Sequence, residues 1–197
     1  MQRLGTALAR GPVLALATMM LAAFYFFAFP AMSSLLELHT PAAAAFDTEF
    51  FYTPATALHK AHLYGDADRA ALHLVHWTYD LAFPLAYGLC LGSAWAMGLR
   101  LIATDRHEPR FALLSVPMAA VAFDLLENAS VTVALNTVDS PGAAGRALAT
   151  AASVTASAAT PLKWVAVSIS VVGAIGLLAG GIVASAIRRR RQRALSN

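Results

Sequence analysis

The chain has 197 residues, of which 58% are hydrophobic and only 13% charged, about half the charged fraction of a soluble domain. That balance excludes an ordinary soluble enzyme, and the lone cysteine, Cys90, excludes an internal disulfide or a paired-cysteine redox mechanism. The net charge of +3 follows membrane topology rather than one basic face, so no nucleic-acid partner is expected.

Four segments reach the roughly 20 apolar residues that cross a bilayer: 12–32, 76–99, 111–135 and 161–187. The expected fold is all-α, a single integral membrane domain over 1–197 built as a four-helix bundle. The first segment follows Arg3 and Arg10 like a signal peptide, but its apolar run exceeds the usual 7–15-residue signal core. The run also ends in Ala28-Phe29-Pro30-Ala31, a poor cleavage site, so an uncleaved anchor is expected.

The loop 33–72 follows, carrying Glu37, Asp47, Glu49, Asp66 and Asp68. Within it Thr53-Pro54 is a helix start and Gly65 a stop, which predicts a short helix over about 54–64. Asp66 is placed to cap the next helix, running from about Ala67 into the second span. Pro30, Pro84 and Pro117 fall in or at the ends of spans, where each removes a backbone hydrogen bond and can bend its helix. The 138–160 stretch is Ala/Ser/Thr-rich with a Ser140-Pro141-Gly142 turn. Its alanines predict a separate short helix over 143–159 before Pro161. In the fourth span Gly176 and Gly180 form a small-residue stripe, for packing inside the bundle or for a homo-oligomer seam.

Basic residues set the orientation. Ten arginines lie in the N-terminal segment, the 100–110 loop (Arg100, Arg106, Arg110) and the tail 188–197. Only four basic residues, Lys60, Arg69, Arg146 and Lys163, lie on the other side. Both termini are therefore expected in the cytoplasm, the chain in a plasma membrane and loop 33–72 outside. Arg188–Arg191 serve as a stop-transfer anchor or touch anionic lipid.

The most informative run is Asp124-Leu-Leu-Glu127-Asn128, because 111–135 holds no other ionisable residue. Such groups cost roughly 2.5–3.5 kcal/mol each at the centre of a membrane helix and face a partner or a wet cavity. At 1.5 Å per residue from the cytoplasmic arginines, Tyr87, Asp124 and Glu127 lie roughly 20–26 Å up, Asp80 roughly 30 Å and Lys163 roughly 38 Å. His73, His76, Asp80, Pro84 and Tyr87 share one helical face, and Asp124, Glu127, Asn128 and Val131 share another. The two polar faces are expected to meet in the outer half. Two acids one turn apart, with Lys163 as their cation, are also expected to share or bind a proton.

The residues Phe46-Asp47, Tyr52-Thr53-Pro54, Gly65, Arg69, Asp80-x-x-x-Pro84-x-x-Tyr87, Asp124-x-x-Glu127-Asn128 and Thr160-x-x-Lys163-Trp164 form a pattern spanning most of the chain. In it the sequence resembles an uncharacterised family of small four-span bacterial integral membrane proteins with Asp-x-x-Glu-Asn in the third span. The resemblance implies a shared four-helix fold and a common polar site, and transfers no activity. His73, His76 and the alanine-rich 143–159 stretch fall outside the pattern.

Several functions fit these residues. One is binding, or acid–base conversion, of a small amphiphile from the outer leaflet. In that reading Asp124 or Glu127 is the catalytic acid or base, Asn128 and Tyr87 orient the ligand, and Lys163 with Asp80 completes its site. Another is a purely structural clamp made by Asp80, Asp124, Glu127, Asn128 and Lys163. A third is a metal site at His73, His76 and Asp80, completed by Glu127. Transport of a proton, ion or small solute is the fourth, although the inner halves of the spans are apolar. No phosphate-cradling glycine loop and no facing histidine pair occurs, so no cofactor is expected.

Overall fold

The computed structural model describes residues 2–39, 46, 49–103 and 109–196. Asp47 and Arg106, which the sequence reading used for topology, lie outside these residues, as does the side chain of Glu37. Every described secondary-structure element is helical. Helix α1 (Gln2–Leu8) leads into α2 (Gly11–Ala23), a wider π turn (Phe24–Ala28) and α3 (Phe29–His39). Then come α4 (Pro54–Leu63), α5 (Asp66–Ile102), a 3-10 turn (Phe111–Leu114), α6 (Ser115–Thr137) and α7 (Ala143–Ser196). Four helical stretches are long and apolar enough to cross a membrane: Gly11–Ser34, Asp66–Ile102, Phe111–Thr137 and Ala143–Leu195.

Local chemistry explains most boundaries. Thr53 caps α4, its hydroxyl accepting from Thr56 N–H at 3.1 Å, with Pro54 at the first helical position. The cap of α5 differs from expectation: Asp66 is already helical, Gly65 is the cap residue, and Asp68 reaches back to Gly65 N–H at 3.1 Å. The π turn precedes Pro30, which has no N–H for the carbonyl four residues back, and Phe29 N–H bonds Phe24 instead. Pro117 lies in the first turn of α6, where its missing donor costs nothing.

The largest departure concerns α7. A separate helix over 143–159 is expected from sequence, yet one helix of 54 residues passes straight through Pro161. Its start is set by Gly142 at φ 94°, a left-handed turn conformation that suits glycine. Pro161 removes one ladder bond, the one to the Ser157 carbonyl, and the helix carries on around it; one turn earlier Ser157 Oγ donates to Ser153 O at 2.7 Å.

Helices α5, α6 and α7 pack on one another, while α1, α2 and α3 lie along α5. Only 6% of the first candidate span's most apolar window is buried, against 50% and 56% for those of α5 and α6. The first span is therefore peripheral rather than an equal member of the core. At the end bearing Arg100 and Arg188, the packing is apolar and close. Trp95 Nε1 donates to Ser170 O at 2.7 Å, and a side chain on Gly173 would collide with the Trp95 ring. A Cβ on Gly98 would stand 2.6 Å from Leu177 Cβ, and one on Gly181 2.6 Å from Leu101 Cβ. Gly98, Gly173 and Gly181 are thus the glycines at which α5 and α7 approach each other here. Gly176 has nothing within 4 Å and Gly180 only Ile102 Cδ1 at 3.8 Å, so the expected Gly176/Gly180 stripe is not the internal seam. Arg100 and Arg188 cap this end, donating to the carbonyls of Ala9 and Leu101.

At the opposite end α4 lies over α6 and α7. Phe46, Tyr52, Ala57, Ala61, Tyr64, Leu72, Val131, Leu135, Val138, Ala149 and Ala156 form one buried cluster there. Burying each large side chain of that set contributes roughly 1.5–3 kcal/mol. The α4 segment is therefore part of the core.

Candidate functional site

Beneath that cluster, four elements deliver polar side chains to one point. Glu127 on α6 is fully buried. Its Oε1 lies 2.5 Å from Thr160 Oγ1 on α7 and 3.2 Å from the hydroxyl of Tyr52, which precedes α4. Thr160 has one hydroxyl proton and three acceptors in reach (Glu127, Tyr52 at 3.0 Å and Ala156 O at 2.9 Å). The shortest, charge-assisted contact takes it. Lys163 Nζ stands 2.5 Å from Glu127 Oε2, an ionic contact outside hydrogen-bonding angles, and 3.7 Å from Asp124 Oδ1. The Tyr87 hydroxyl on α5 donates to Asp124 Oδ2 at 3.0 Å.

The network thus holds two carboxylates, one ammonium and three hydroxyls. Asp124 and Glu127 meet because three residues of helix turn through about 300°, which leaves their side chains about 60° apart on one face. Thr160 and Lys163 repeat that spacing on α7. Lys163 sits between the acids, as the sequence predicts. Removing both charges from water costs several kcal/mol per ion, so the pair holds only because hydroxyls take up the remaining lone pairs.

A second polar group runs along the α5–α6 seam. Asn128 Nδ2 donates to the Asp80 backbone carbonyl at 3.1 Å. His76 lies with Nδ1 3.4 Å from Thr132 Oγ1 and Nε2 3.8 Å from Asp80 Oδ2. His73 Nε2 lies 2.9 Å from Asn136 Oδ1, and beyond them Arg69 and His62 both reach Asp139. Asn128 therefore leaves the Glu127 face for α5: on a helix the next residue turns 100° away.

The structure does not bring the residues of the metal alternative together. His73 is turned to Asn136 and Glu127 to Lys163, and among the described residues no three His, Cys, Asp or Glu side chains are placed to hold a metal.

Between α5 and α6 a groove of about 240 Å³ opens, lined by His76, Trp77, Leu81, Leu125, Asn128 and Ala129. It is apolar except where His76 and Asn128 meet it. Trp77 is 55% exposed, so the groove gives onto the outer surface of the helices rather than into the Glu127 network.

The sequence reading named Asp124, Glu127, Tyr87 and Lys163 correctly as neighbours but missed Tyr52 and Thr160 as members. Thr160 was legible as the residue one turn before Lys163. Tyr52 precedes a helix, where periodicity gives no direction. Lys60 is a further omission: counted only for topology, it is buried, 2.8 Å from Glu49 and 5.5 and 5.7 Å from the ring centroids of Phe46 and Tyr52.

No protein-family model matches the chain, and no curated protein or solved structure matches it either.

Proposed function

We propose that the chain is a multi-pass integral membrane protein, both termini cytoplasmic, that binds a small amphiphile from the outer leaflet in the groove between α5 and α6. The groove itself carries this reading: an apolar slot of about 240 Å³ with two buried polar residues, His76 and Asn128, on its wall. Four long apolar helices and ten of fourteen basic residues on one side support the plasma-membrane placement. In that orientation the α4 end is external.

The buried network takes the part of a lock in this reading. Glu127, Asp124 and Lys163 bind α6 to α7, Tyr87 ties in α5, and Tyr52 fastens the external segment over them. Full engagement of Glu127 inside the chain supports holding over acid–base chemistry for this residue. Tyr52, Tyr87, Asp124, Glu127, Thr160 and Lys163 all belong to the pattern shared with the four-span family. Their meeting at one point supports reading the network as that pattern's common site.

The test is lipid retention. Native mass spectrometry of the detergent-purified chain is expected to show a retained lipid, lost in Ala129→Trp, whose indole fills the groove. Equal retention by both proteins would remove the groove from the proposal.

A further inference from the structure

The groove's chemistry narrows its occupant, on the premise that the groove is a lipid site. Asn128 donates one N–H to the Asp80 carbonyl, which also fixes the amide's orientation, since only its nitrogen can donate to a carbonyl. The amide oxygen is left as an acceptor with no hydrogen bond from the described residues. His76, the other polar wall, has both ring nitrogens directed at partners, Thr132 and Asp80. The wall therefore offers the Asn128 amide oxygen as an acceptor beside that residue's second N–H, a pair that a hydroxyl group can match.

Charge decides the rest. The Asp80 carboxylate lies 3.8 Å from His76 Nε2, just behind this wall, and disfavours an anionic headgroup. Lys163, the nearest cation to Asp124 and Glu127, is engaged by those two acids on the far side of α6. The volume of about 240 Å³ lies below the roughly 300–1,000 Å³ of a drug-sized pocket, which admits one chain and not two.

We infer that the groove takes a neutral single-chain lipid whose terminal hydroxyl donates to the Asn128 amide oxygen, its chain lying along Trp77, Leu81, Leu125 and Ala129.

Trp77 provides the readout, since a brominated chain seated beside it quenches its fluorescence. The chain in nanodiscs is titrated with 12-bromododecanol, 12-bromododecanoate at pH 8 and 1-bromododecane, with Trp77→Phe subtracted to remove Trp95 and Trp164. The alcohol is expected to bind about tenfold more tightly than the other two, the worth of one buried hydrogen bond. Asn128→Leu is expected to erase that preference while leaving bromododecane unchanged. Ala129→Phe, which fills the groove without adding a fluorophore, is expected to abolish quenching by all three. Equal affinity for alcohol and alkane in the native chain overturns the hydroxyl assignment and leaves the groove as an apolar lipid site. Tighter binding of the carboxylate overturns it in favour of an anionic ligand. Quenching unaffected by Ala129→Phe overturns the groove reading itself. The comparison of ligands on the native chain holds even where Asn128→Leu fails to fold.

Discussion

The two ends of this molecule join their long helices by opposite means. At the α4 end α5, α6 and α7 meet through charge and hydroxyls, with Glu127 at the centre and Tyr52 reaching in from outside the long helices. At the arginine end α5 and α7 meet through absence of side chain: Gly98, Gly173 and Gly181 let Leu177, Trp95 and Leu101 approach the backbone. Without a hydrophobic drive between helices in lipid, both devices are open to a membrane protein, close packing and interhelical hydrogen bonds. They differ in failure. A polar knot missing one member keeps the desolvation cost of the others, whereas an apolar seam overfilled by a methyl group is only pushed apart.

The largest contrast is predicted for the ammonium. Lys163→Met leaves Glu127 and Asp124 buried without their cation and is expected to lose about 3–5 kcal/mol. Unfolding in mixed detergent measures it. Adding Glu127→Gln to that variant is expected to recover part of the loss, because the stranded charge goes with it. A double variant no better than the single would show that packing, not charge, holds this end.

At the glycine seam, Gly173→Leu drives a side chain into the Trp95 ring and is expected to cost about 1–3 kcal/mol. Gly176→Leu is its control: with nothing within 4 Å it is expected to change stability by less than about 0.5 kcal/mol. Equal losses at the two positions would place the seam wrongly. Tyr52→Phe follows in size. It removes one donor to Glu127 and is expected to cost about 1.5 kcal/mol, with faster proteolysis between 46 and 64 as the second readout.

The sequence exposes these two ends unequally. Hydropathy locates the long helices, and their shared helical faces bring Asp124, Glu127, Tyr87 and Lys163 together, because burial of charge is legible in any apolar run. The α4 helix is legible from Thr53, Pro54 and Gly65, whose roles are local. Tyr52 is not, since its direction depends on how an irregular segment folds back. The continuity of α7 through Pro161 is likewise hidden, because a proline reads the same whether it opens a helix or is carried inside one. Gly173 and Gly176 differ only in rotation, so which of them meets α5 is a tertiary fact.

The smallest effect lies at the rim of the α4 end, where Asp139 joins the Arg69 guanidinium and His62 Nδ1. The hydrogen bond from Arg69, more than any other influence, holds the Asp139 carboxyl below its usual 3.8. Because the folded state lowers this value, the contribution is complete above the unfolded value. It fades as pH falls through the lower folded one, when the carboxylate takes up a proton and releases Arg69. Both partners of the His62 contact are more than half exposed, so solvent and salt screen the pairs and the gain is small. Asp139→Asn is therefore expected to lower the melting temperature slightly at pH 6 and by progressively less as pH falls below 3.8, and the difference at pH 6 is expected to shrink in 0.5 M salt. A difference that persists at the acid limit would mean that Asp139 acts through packing rather than charge, and the α4 end would then owe its polar character to the buried network alone.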